Sequence, residues 1–194
     1  MAIYFETPRL ILRPFRDQDI IPFSSYRSDP EVAKYQGWDT PFTIEQAATF
    51  VREMKAKTQG EPSQWYQIAI ELKSSGQMIG DCAFHCFADD PTQAEVGFTL
   101  ARDVHGQGYG TEAVFRLLEY LFVDLNLHCV RANCDPKNIA SIRLLQKVGM
   151  RHEGCFVESL WLKGEWVSED WYGMLKREWV KFVDRGEPSD GKST

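Results

Sequence analysis

The feature that most constrains this chain is a run of three alternating glycines between an apolar segment and an amphipathic one. Gly106, Gly108 and Gly110 follow the strand-like residues 94–101 and precede a helical pattern with apolar residues every three or four positions. Glycine permits positive φ angles, so successive N–H groups can turn toward one point, and the helix N-terminus adds unpaired donors and a positive dipole end. The spacing predicts a loop that holds a phosphate or pyrophosphate.

Two common nucleotide loops do not fit this segment. A Walker A loop would need Gly-Lys-Ser/Thr, which is not present, and the dinucleotide pattern GxGxxG fails because Thr111 stands at the third glycine position. Several strands also precede the loop, whereas a dinucleotide loop usually follows the first strand of its unit. An enzyme that uses a nicotinamide cofactor therefore stays a rival hypothesis of little support.

Composition narrows the classes of partner. The 194 residues carry a net charge of −6 and no dense cluster of Lys and Arg, so we expect no nucleic-acid partner, and a cationic ligand such as an amine is easier to accommodate. The sequence shows no secretory leader and no apolar run of about 18 residues, which predicts a cytoplasmic protein without a membrane partner. The five cysteines lack CxxC spacing, so neither a disulfide framework nor a zinc site is expected.

Apolar periodicity and turn residues predict an α/β (α+β) protein in which helices cover both faces of a mixed central sheet of about seven strands, closed by a C-terminal β-hairpin. The predicted strands are residues 9–13, 65–72, 78–87, 94–101, 129–134, 155–161 and 166–175. The predicted helices cover 17–26, a segment that begins at 29–31, 43–54, 113–122 and 142–148. Residues 1–183 are expected to form one domain, and residues 184–194 a polar, disordered tail.

Several segments together resemble one enzyme family. The segment His105-Gly-Gln-Gly-Tyr-Gly-Thr-Glu-Ala113 is similar to the acyl-CoA pyrophosphate loop of the GCN5-related N-acetyltransferase (GNAT) superfamily. The nearest resemblance is to the RimJ/RimL-type ribosomal-protein N-terminal acetyltransferases, and it extends over residues 3–180. The further matching segments, in the same order as in the family, are 6–14, 29–32, 95–98, 138–145, 149–150, 170–172 and 178–179.

The resemblance implies the donor, acetyl-CoA, and the residues that bind it. The pyrophosphate would lie against the backbone of the loop, that is, Gly106, Gln107, Gly108, Tyr109, Gly110 and Thr111. The pantetheine arm would run along the main chain of Phe98, Thr99 and Leu100 like an added strand, which requires a bulge that splays this strand from its parallel neighbour. His105 departs from the family, which usually has Gln or Arg there, so the strength of CoA binding depends on the backbone.

Two residues at the start of a helix match the family's Asn-x-x-Ser motif. The resemblance places the Asn138 amide on the pantetheine and Ser141 near the CoA sulfur, whereas a purely structural interpretation makes Asn138 the helix N-cap and Ser141 a first-turn residue. Many relatives use a tyrosine to protonate the departing thiolate. Leu145 occupies that position and cannot donate a proton, so Ser141, or a water that it orders, is the candidate acid.

Amine acetylation also needs a base, because only an uncharged amine attacks a thioester carbonyl. Glu95 matches the family's acidic position on the strand of the proposed acyl arm, and His85 on the neighbouring strand is the second candidate. A solvent-facing or ion-paired Glu95 and a structural His85 are the alternatives. No metal is expected, since the reaction needs none, and Cys82 and Cys86 are interpreted as core residues although both stand close to His85.

The sequence therefore predicts an acyltransferase that moves acetyl from acetyl-CoA to a primary amine by direct attack in a ternary complex. The acceptor is either a protein N-terminal amine or a small-molecule amine. A homodimer is one possible assembly, but the sequence does not determine the oligomeric state. A non-catalytic acyl-CoA-binding or sensor module on the same fold is the alternative function. The aromatic residues that could shape an amine pocket by cation–π contacts are Tyr26, Tyr35, Trp38, Trp161 and Trp166.

Overall fold

A single mixed sheet organises the protein. The computed structural model describes residues 4–58 and 63–186. In these residues the strands, in chain order, are β1 (Phe5–Glu6), β2 (Leu10–Arg13), β3 (Tyr66–Leu72), β4 (Gln77–Cys86), β5 (Gln93–Leu100), β6 (Cys129–Cys134), β7 (Arg151–Leu162) and β8 (Glu165–Leu175). The helices are α1 (Ile20–Arg27), α2 (Pro30–Ala33), α3 (Ile44–Ala56), α4 (Tyr109–Glu119), α5 (Ile139–Lys147) and α6 (Lys176–Asp184).

The sheet order is β1-β2-β3-β4-β5-β6-β8-β7, and every neighbouring pair is antiparallel except β5 with β6. The predicted α/β class, the mixed sheet and the C-terminal hairpin are confirmed. The described residues form eight strands rather than about seven, because Phe5 and Glu6 add a short edge strand to β2. Two residues show too little alternation to predict a strand; only their pairing with Leu12 and Ile11 defines it.

Helices cover both faces of the sheet, as the apolar pattern predicts. On one face α1 and α3 enclose a core of Phe23, Val51 and neighbours against Ala69 and Met78 of the strands. The other face packs against α4 and includes Leu117. Cys82 and Cys86 are buried in this second core, which agrees with their interpretation as core residues.

Local sequence signals fix the beginnings of two helices. Asp29 accepts a hydrogen bond from the Glu31 N–H at 2.9 Å and Pro30 opens α2. Thr43 and Gln46 form the capping box of α3, in which each side chain accepts from the other's backbone N–H at 3.2 and 2.7 Å.

One helix has no counterpart in the predicted elements. Trp179 of α6 is buried against Phe115 and Phe122 of the segment that follows the glycine loop, with ring centroids 4.8 and 5.7 Å apart. The predicted tail therefore overlaps α6 at Asp184, and residues 187–194 lie outside the described residues. No helix in the described part of the chain is long and apolar enough to cross a membrane.

A buried ion cluster joins β2 to β3 and to the residue that precedes α1. The Arg13 side chain is fully buried, and it donates to both carboxylate oxygens of Asp19 at 2.7 and 2.8 Å and to Glu71 on β3 at 2.6 Å. Burying these charges is tolerable only because each carboxylate is paired and hydrogen-bonded.

Replacing Arg13→Met is expected to lower the free energy of unfolding by about 3–5 kcal/mol, because it leaves the Asp19 carboxylate buried without its cation. Denaturant titration at neutral pH measures the change. Lys55→Ala is the matched control, since its ion pair with Asp17 is exposed and should contribute less than about 1 kcal/mol. Equal losses in the two variants would contradict this account of the cluster.

Candidate active site

The site lies where two parallel strands separate. β5 and β6 pair only from Gln93 to Glu95, opposite Cys129 to Arg131, after which β6 continues against β8 alone. The predicted splay is therefore present, but the register between β4 and β5 is continuous along the whole of β5, so the separation occurs without a bulge in that ladder.

A cavity of about 230 Å³ fills the gap between the separated strands. Glu95 from β5 and Ser141 and Asn138 from the start of α5 all line it, so the structure brings together the residues that the sequence proposed for catalysis. Sequence reasoning missed six further polar or aromatic lining residues: Gln36, Trp65, Asn133, Asp135, Ser168 and Glu169.

Glu95 is held on both carboxylate oxygens by neighbouring strands. Asn133 Nδ2 on β6 donates to Oε1 at 3.0 Å, and His85 Nε2 on β4 lies 3.4 Å from Oε2. The side chain is about four-fifths buried, and this burial raises the pKa of Glu95 above its ordinary value, against the opposing effect of His85. A carboxylate with a raised pKa is a stronger base.

His85 projects from the face of β4 opposite to Cys82 and Cys86. Those two thiols belong to the core around α4, whereas the His85 ring contacts Trp65 and Phe87 at centroid distances of 4.5 and 5.2 Å. The described residues contain no group of three or more His, Cys, Asp or Glu side chains arranged to hold a metal ion.

At the start of α5, the Asn-x-x-Ser residues Asn138 and Ser141 both form the beginning of the helix and line the cavity. Asn138 is the N-cap: its Oδ1 accepts from the Ser141 N–H at 3.2 Å. The cap uses the backbone of Ser141, so the Ser141 hydroxyl is not part of it, and both side chains also line the cavity. Leu145 is buried in the core on the same helix, which explains an apolar residue there.

The glycine loop presents a run of backbone N–H groups that stay unpaired within the described residues. Gly106 and Gly108 have φ angles of +76° and +81°, and Gly108 is the N-cap of α4. The N–H groups of Gly106 to Thr111 have no acceptor in the described part of the chain. Unpaired donors at a helix N-terminus are the features that bind a phosphate.

Arg9 and Glu112 shape this loop, although no sequence pattern predicts a role for either residue. Glu112 accepts from the Arg9 N–H at 2.9 Å, from Arg9 Nε at 2.6 Å and from the Thr7 hydroxyl. Burial alone would raise the pKa of Glu112, but these hydrogen bonds lower it below its ordinary value. Arg9 Nη1 also donates to the Gln107 carbonyl at 2.9 Å, so the guanidinium lies beside the loop.

His105 joins the loop to the end of β5. Its Nε2 lies 3.0 Å from the Leu100 carbonyl oxygen, and since a carbonyl only accepts, Nε2 is the donor. The residue at the family's Gln or Arg position thus makes a contact within the protein that holds the loop against the strand.

The main-chain groups of β5 alternate between its two edges. The Ala101 N–H, just after β5, donates to the carbonyl of Ile79 in β4, so in an antiparallel ladder Thr99 also directs its main-chain groups toward β4. Those of Phe98 and Leu100 face the gap, where the Leu100 carbonyl accepts from His105. The N–H and C=O of Phe98 and the N–H of Leu100 therefore lie on the edge that an added strand would use.

The aromatic residues proposed for an amine pocket lie in three places. Tyr35 lines the cavity, and its hydroxyl donates to the Lys137 carbonyl at 3.3 Å. Tyr26 is buried and donates to Asp81, and Trp38 donates to the Arg27 carbonyl at 3.0 Å. Trp161 and Trp166 contact each other on the exposed hairpin.

Comparison with known proteins agrees with this geometry. The model of the acetyltransferase (GNAT) domain family matches residues 9–151, most of the chain. This chain belongs to the GNAT acetyltransferase family. It is 33% identical over 177 residues to the uncharacterized N-acetyltransferase YnaD of Bacillus subtilis strain 168, with 91% of this chain and 99% of that protein covered.

Solved structures share the fold of this GNAT acetyltransferase. A GNAT-family acetyltransferase from Bacillus anthracis superimposes with a TM-score of 0.80 at 30% identity, covering 90% of this chain and 99% of that one. Mycobacterium smegmatis RimJ in complex with CoA-disulfide gives a TM-score of 0.77 at 21% identity over 92% and 90% of the two chains. A partial relative is the spermidine N(1)-acetyltransferase of Vibrio cholerae serotype O1 strain ATCC 39315, 28% identical over 48% of this chain and 53% of that protein.

Gly108→Ala is expected to weaken acetyl-CoA binding by on the order of tenfold while the protein stays folded. An added Cβ would meet Arg9 Nη2 at 3.2 Å, in a backbone conformation with positive φ that costs an L-residue roughly 1–2 kcal/mol. Calorimetric titration measures the affinity. Gly76→Ala is the matched control, with a φ of +69° and no neighbour within 4 Å of the new Cβ. An unchanged affinity in Gly108→Ala would place the donor site elsewhere.

Proposed function

We propose that this GNAT chain transfers the acetyl group of acetyl-CoA to a primary amine by direct attack in a ternary complex. The observation that carries the proposal is the convergence of Glu95, Asn138 and Ser141 on one cavity between the separated ends of β5 and β6. The cavity adjoins the edge of β5, and β5 leads directly toward the glycine loop. A donor bound along this edge would present its thioester to the same cavity that admits the amine.

The backbone of the loop and of β5, together with the Arg9 side chain, would bind the polar groups of acetyl-CoA. The N–H groups of Gly106 to Thr111 would bind the pyrophosphate, with Arg9 Nη atoms beside them as a positive charge. The edge groups of Phe98 and Leu100 would hydrogen-bond the amides of the pantetheine arm and polarise the thioester carbonyl. Asn138 keeps its amide N–H groups for the same arm, because only its Oδ1 is used in the helix cap.

The transfer proceeds in proton-balanced steps. Glu95 takes a proton from the bound ammonium, which leaves an uncharged amine. The amine nitrogen attacks the thioester carbonyl carbon, and collapse of the adduct breaks the C–S bond. The Ser141 hydroxyl gives a proton to the departing thiolate and regains one from the positively charged nitrogen that the attack creates. Glu95 then releases its proton to solvent, so the products are an N-acetylated amine, free CoA and one proton in solution.

The charge of the cavity supports a cationic acceptor. Three carboxylate side chains line it, those of Glu95, Asp135 and Glu169, and the described residues that line it include no Lys, Arg or His. Tyr35 and Trp65 add aromatic surface, which attracts ammonium groups. A small-molecule amine and a protein N-terminal amine both have this charge, and the relative that is named a spermidine acetyltransferase provides one candidate, spermidine, for a panel of acceptors.

The donor site is tested first by thermal unfolding with and without acetyl-CoA, with NADH as the control ligand. A ligand at about 100 times its Kd stabilises a protein by roughly 2.7 kcal/mol, which raises the unfolding midpoint by several degrees. A shift with acetyl-CoA alone is expected. A shift with NADH, or none with either ligand, would contradict the proposed donor.

Turnover is tested by the release of CoA thiol with a panel of polyamines, amino-acid amides and peptides with free N-termini. Amine-dependent release is expected for at least one class. Donor binding without release for any amine would favour the alternative, a non-catalytic acyl-CoA-binding module on this fold.

Glu95→Gln is expected to lower kcat by on the order of 100-fold and to leave the affinity for acetyl-CoA unchanged. Glu95 is active as the carboxylate, so activity should fall as the pH drops through the pKa of Glu95, which burial raises above its ordinary value. The Glu95→Gln variant should not show this loss of activity at low pH. The pH dependence of kcat measures it, with Glu53→Gln on the exposed face of α3 as the control. A wild-type pH profile in Glu95→Gln would rule out Glu95 as the base.

Ser141→Ala is expected to slow turnover by about tenfold or more with the same donor affinity. The substitution keeps the helix cap because Asn138 Oδ1 accepts from the backbone N–H of residue 141, so the thermal unfolding midpoint should stay unchanged. Asn138→Ala provides the contrast, since it loses the cap and about 1 kcal/mol of stability. Wild-type turnover in Ser141→Ala would refute the proton-donor role.

A further inference from the structure

The His85 imidazole has one nitrogen next to the candidate base, and its other nitrogen is buried without a hydrogen-bond partner in the described residues. His85 and Glu95 are direct cross-strand partners on β4 and β5, and Nε2 lies 3.4 Å from Glu95 Oε2. Nδ1 is buried and has no hydrogen-bond partner in the described part of the protein. The ring also packs against Trp65 and Phe87, with centroid distances of 4.5 and 5.2 Å, and these contacts restrict its rotation.

This arrangement discriminates among the three protonation states of the ring. An imidazolium, or a neutral ring with its proton on Nδ1, would leave an N–H donor buried without an acceptor, which costs free energy. A proton on Nδ1 alone would in addition place the Nε2 lone pair against a carboxylate oxygen. Only the neutral ring with its proton on Nε2 both directs an N–H donor at Glu95 and leaves no buried donor unpaired, because Nδ1 then carries a lone pair and no proton.

We propose that His85 is a positioning residue that, as the neutral Nε2–H tautomer, holds the Glu95 carboxylate in the orientation from which it accepts the proton of the amine. The inference rests on the proposed function, because Glu95 is the base there. His85 on Oε2 and Asn133 on Oε1 restrain both oxygens from the two strands that flank Glu95. Each oxygen keeps a second lone pair for the incoming proton.

A neutral donor serves this purpose better than a cation. A fixed positive charge at this distance would stabilise the carboxylate and weaken it as a base, whereas a neutral N–H orients it with a smaller effect on basicity. The other charged groups that act on Glu95 are Arg131 from β6 and Glu169 from β8, and they oppose each other. His85 therefore acts on the reaction through Glu95 and not as an independent proton acceptor.

The first test is the tautomer itself, which does not depend on turnover. Nitrogen-15 NMR of histidine-labelled protein, compared with the His85→Gln variant to assign the signals, reports the protonation of each ring nitrogen. The expected result is an unprotonated Nδ1 and a protonated Nε2 at neutral pH. A protonated Nδ1, in either the neutral or the charged ring, would overturn the inference even if the protein is an active acetyltransferase.

The second test compares two substitutions in the amine-dependent assay. His85→Gln keeps an N–H donor near the position of Nε2 and should retain kcat within about threefold. His85→Phe keeps a ring that can pack against Trp65 and Phe87 but has no donor, and it should lose roughly tenfold. Affinity for acetyl-CoA should stay constant in both variants. Equal losses in both, or no loss in either, would overturn the positioning role.

A double-mutant cycle separates action through Glu95 from a general structural effect. In a Glu95→Gln background the further change His85→Phe should cost little, because the group that it positions is gone. His152→Phe is the matched control: His152 Nε2 lies 3.3 Å from Asp170 on the hairpin, outside the residues that line the cavity, and its loss should leave kcat unchanged. Additive losses in the cycle would contradict the inference, and wild-type protein without turnover would instead refute the proposed function.

Discussion

The early end of the parallel pairing between β5 and β6 determines where the candidate site lies. Three residue pairs hold the two strands together, and beyond Glu95 they diverge while each stays bonded to its antiparallel partner. The divergence leaves the N–H and C=O of Phe98 and the N–H of Leu100 at an open edge inside the molecule. Unpaired backbone groups at such an edge cost free energy unless a ligand or water completes them, which makes the edge a binding surface.

The glycine loop depends on a contact with Arg9, about 100 residues earlier in the chain. Glu112 in the first turn of α4 binds both the backbone and the guanidinium of Arg9, and Arg9 in turn binds the Gln107 carbonyl. A carboxylate so close to a phosphate site would repel the ligand if it were unpaired. Pairing with Arg9 neutralises it and leaves a positive group beside the loop, so the same interaction shapes the loop and makes its charge suitable for an anion.

Features with a local physical cause were predictable from the sequence. The capping box of Thr43 and Gln46, the Asp29 cap and the glycine loop before α4 all depend on residues within four positions of one another. Helix α6 was missed because its burial comes from the aromatic contacts of Trp179 with Phe115 and Phe122, more than 50 residues earlier in the chain. The edge strand β1 was missed because its two residues are defined only by β2.

The sequence alone determined the alternation of strands and helices, the glycine loop and the residue types of the candidate site, because periodicity, capping and backbone freedom are properties of neighbouring residues. Only the tertiary structure decided which side chains meet. Glu95 and Ser141 are 46 positions apart and share a cavity because β5 and β6 diverge beside the start of α5. The surroundings of Glu95, from His85 to Asn133, depend on strand register, which long-range packing sets and no local pattern specifies.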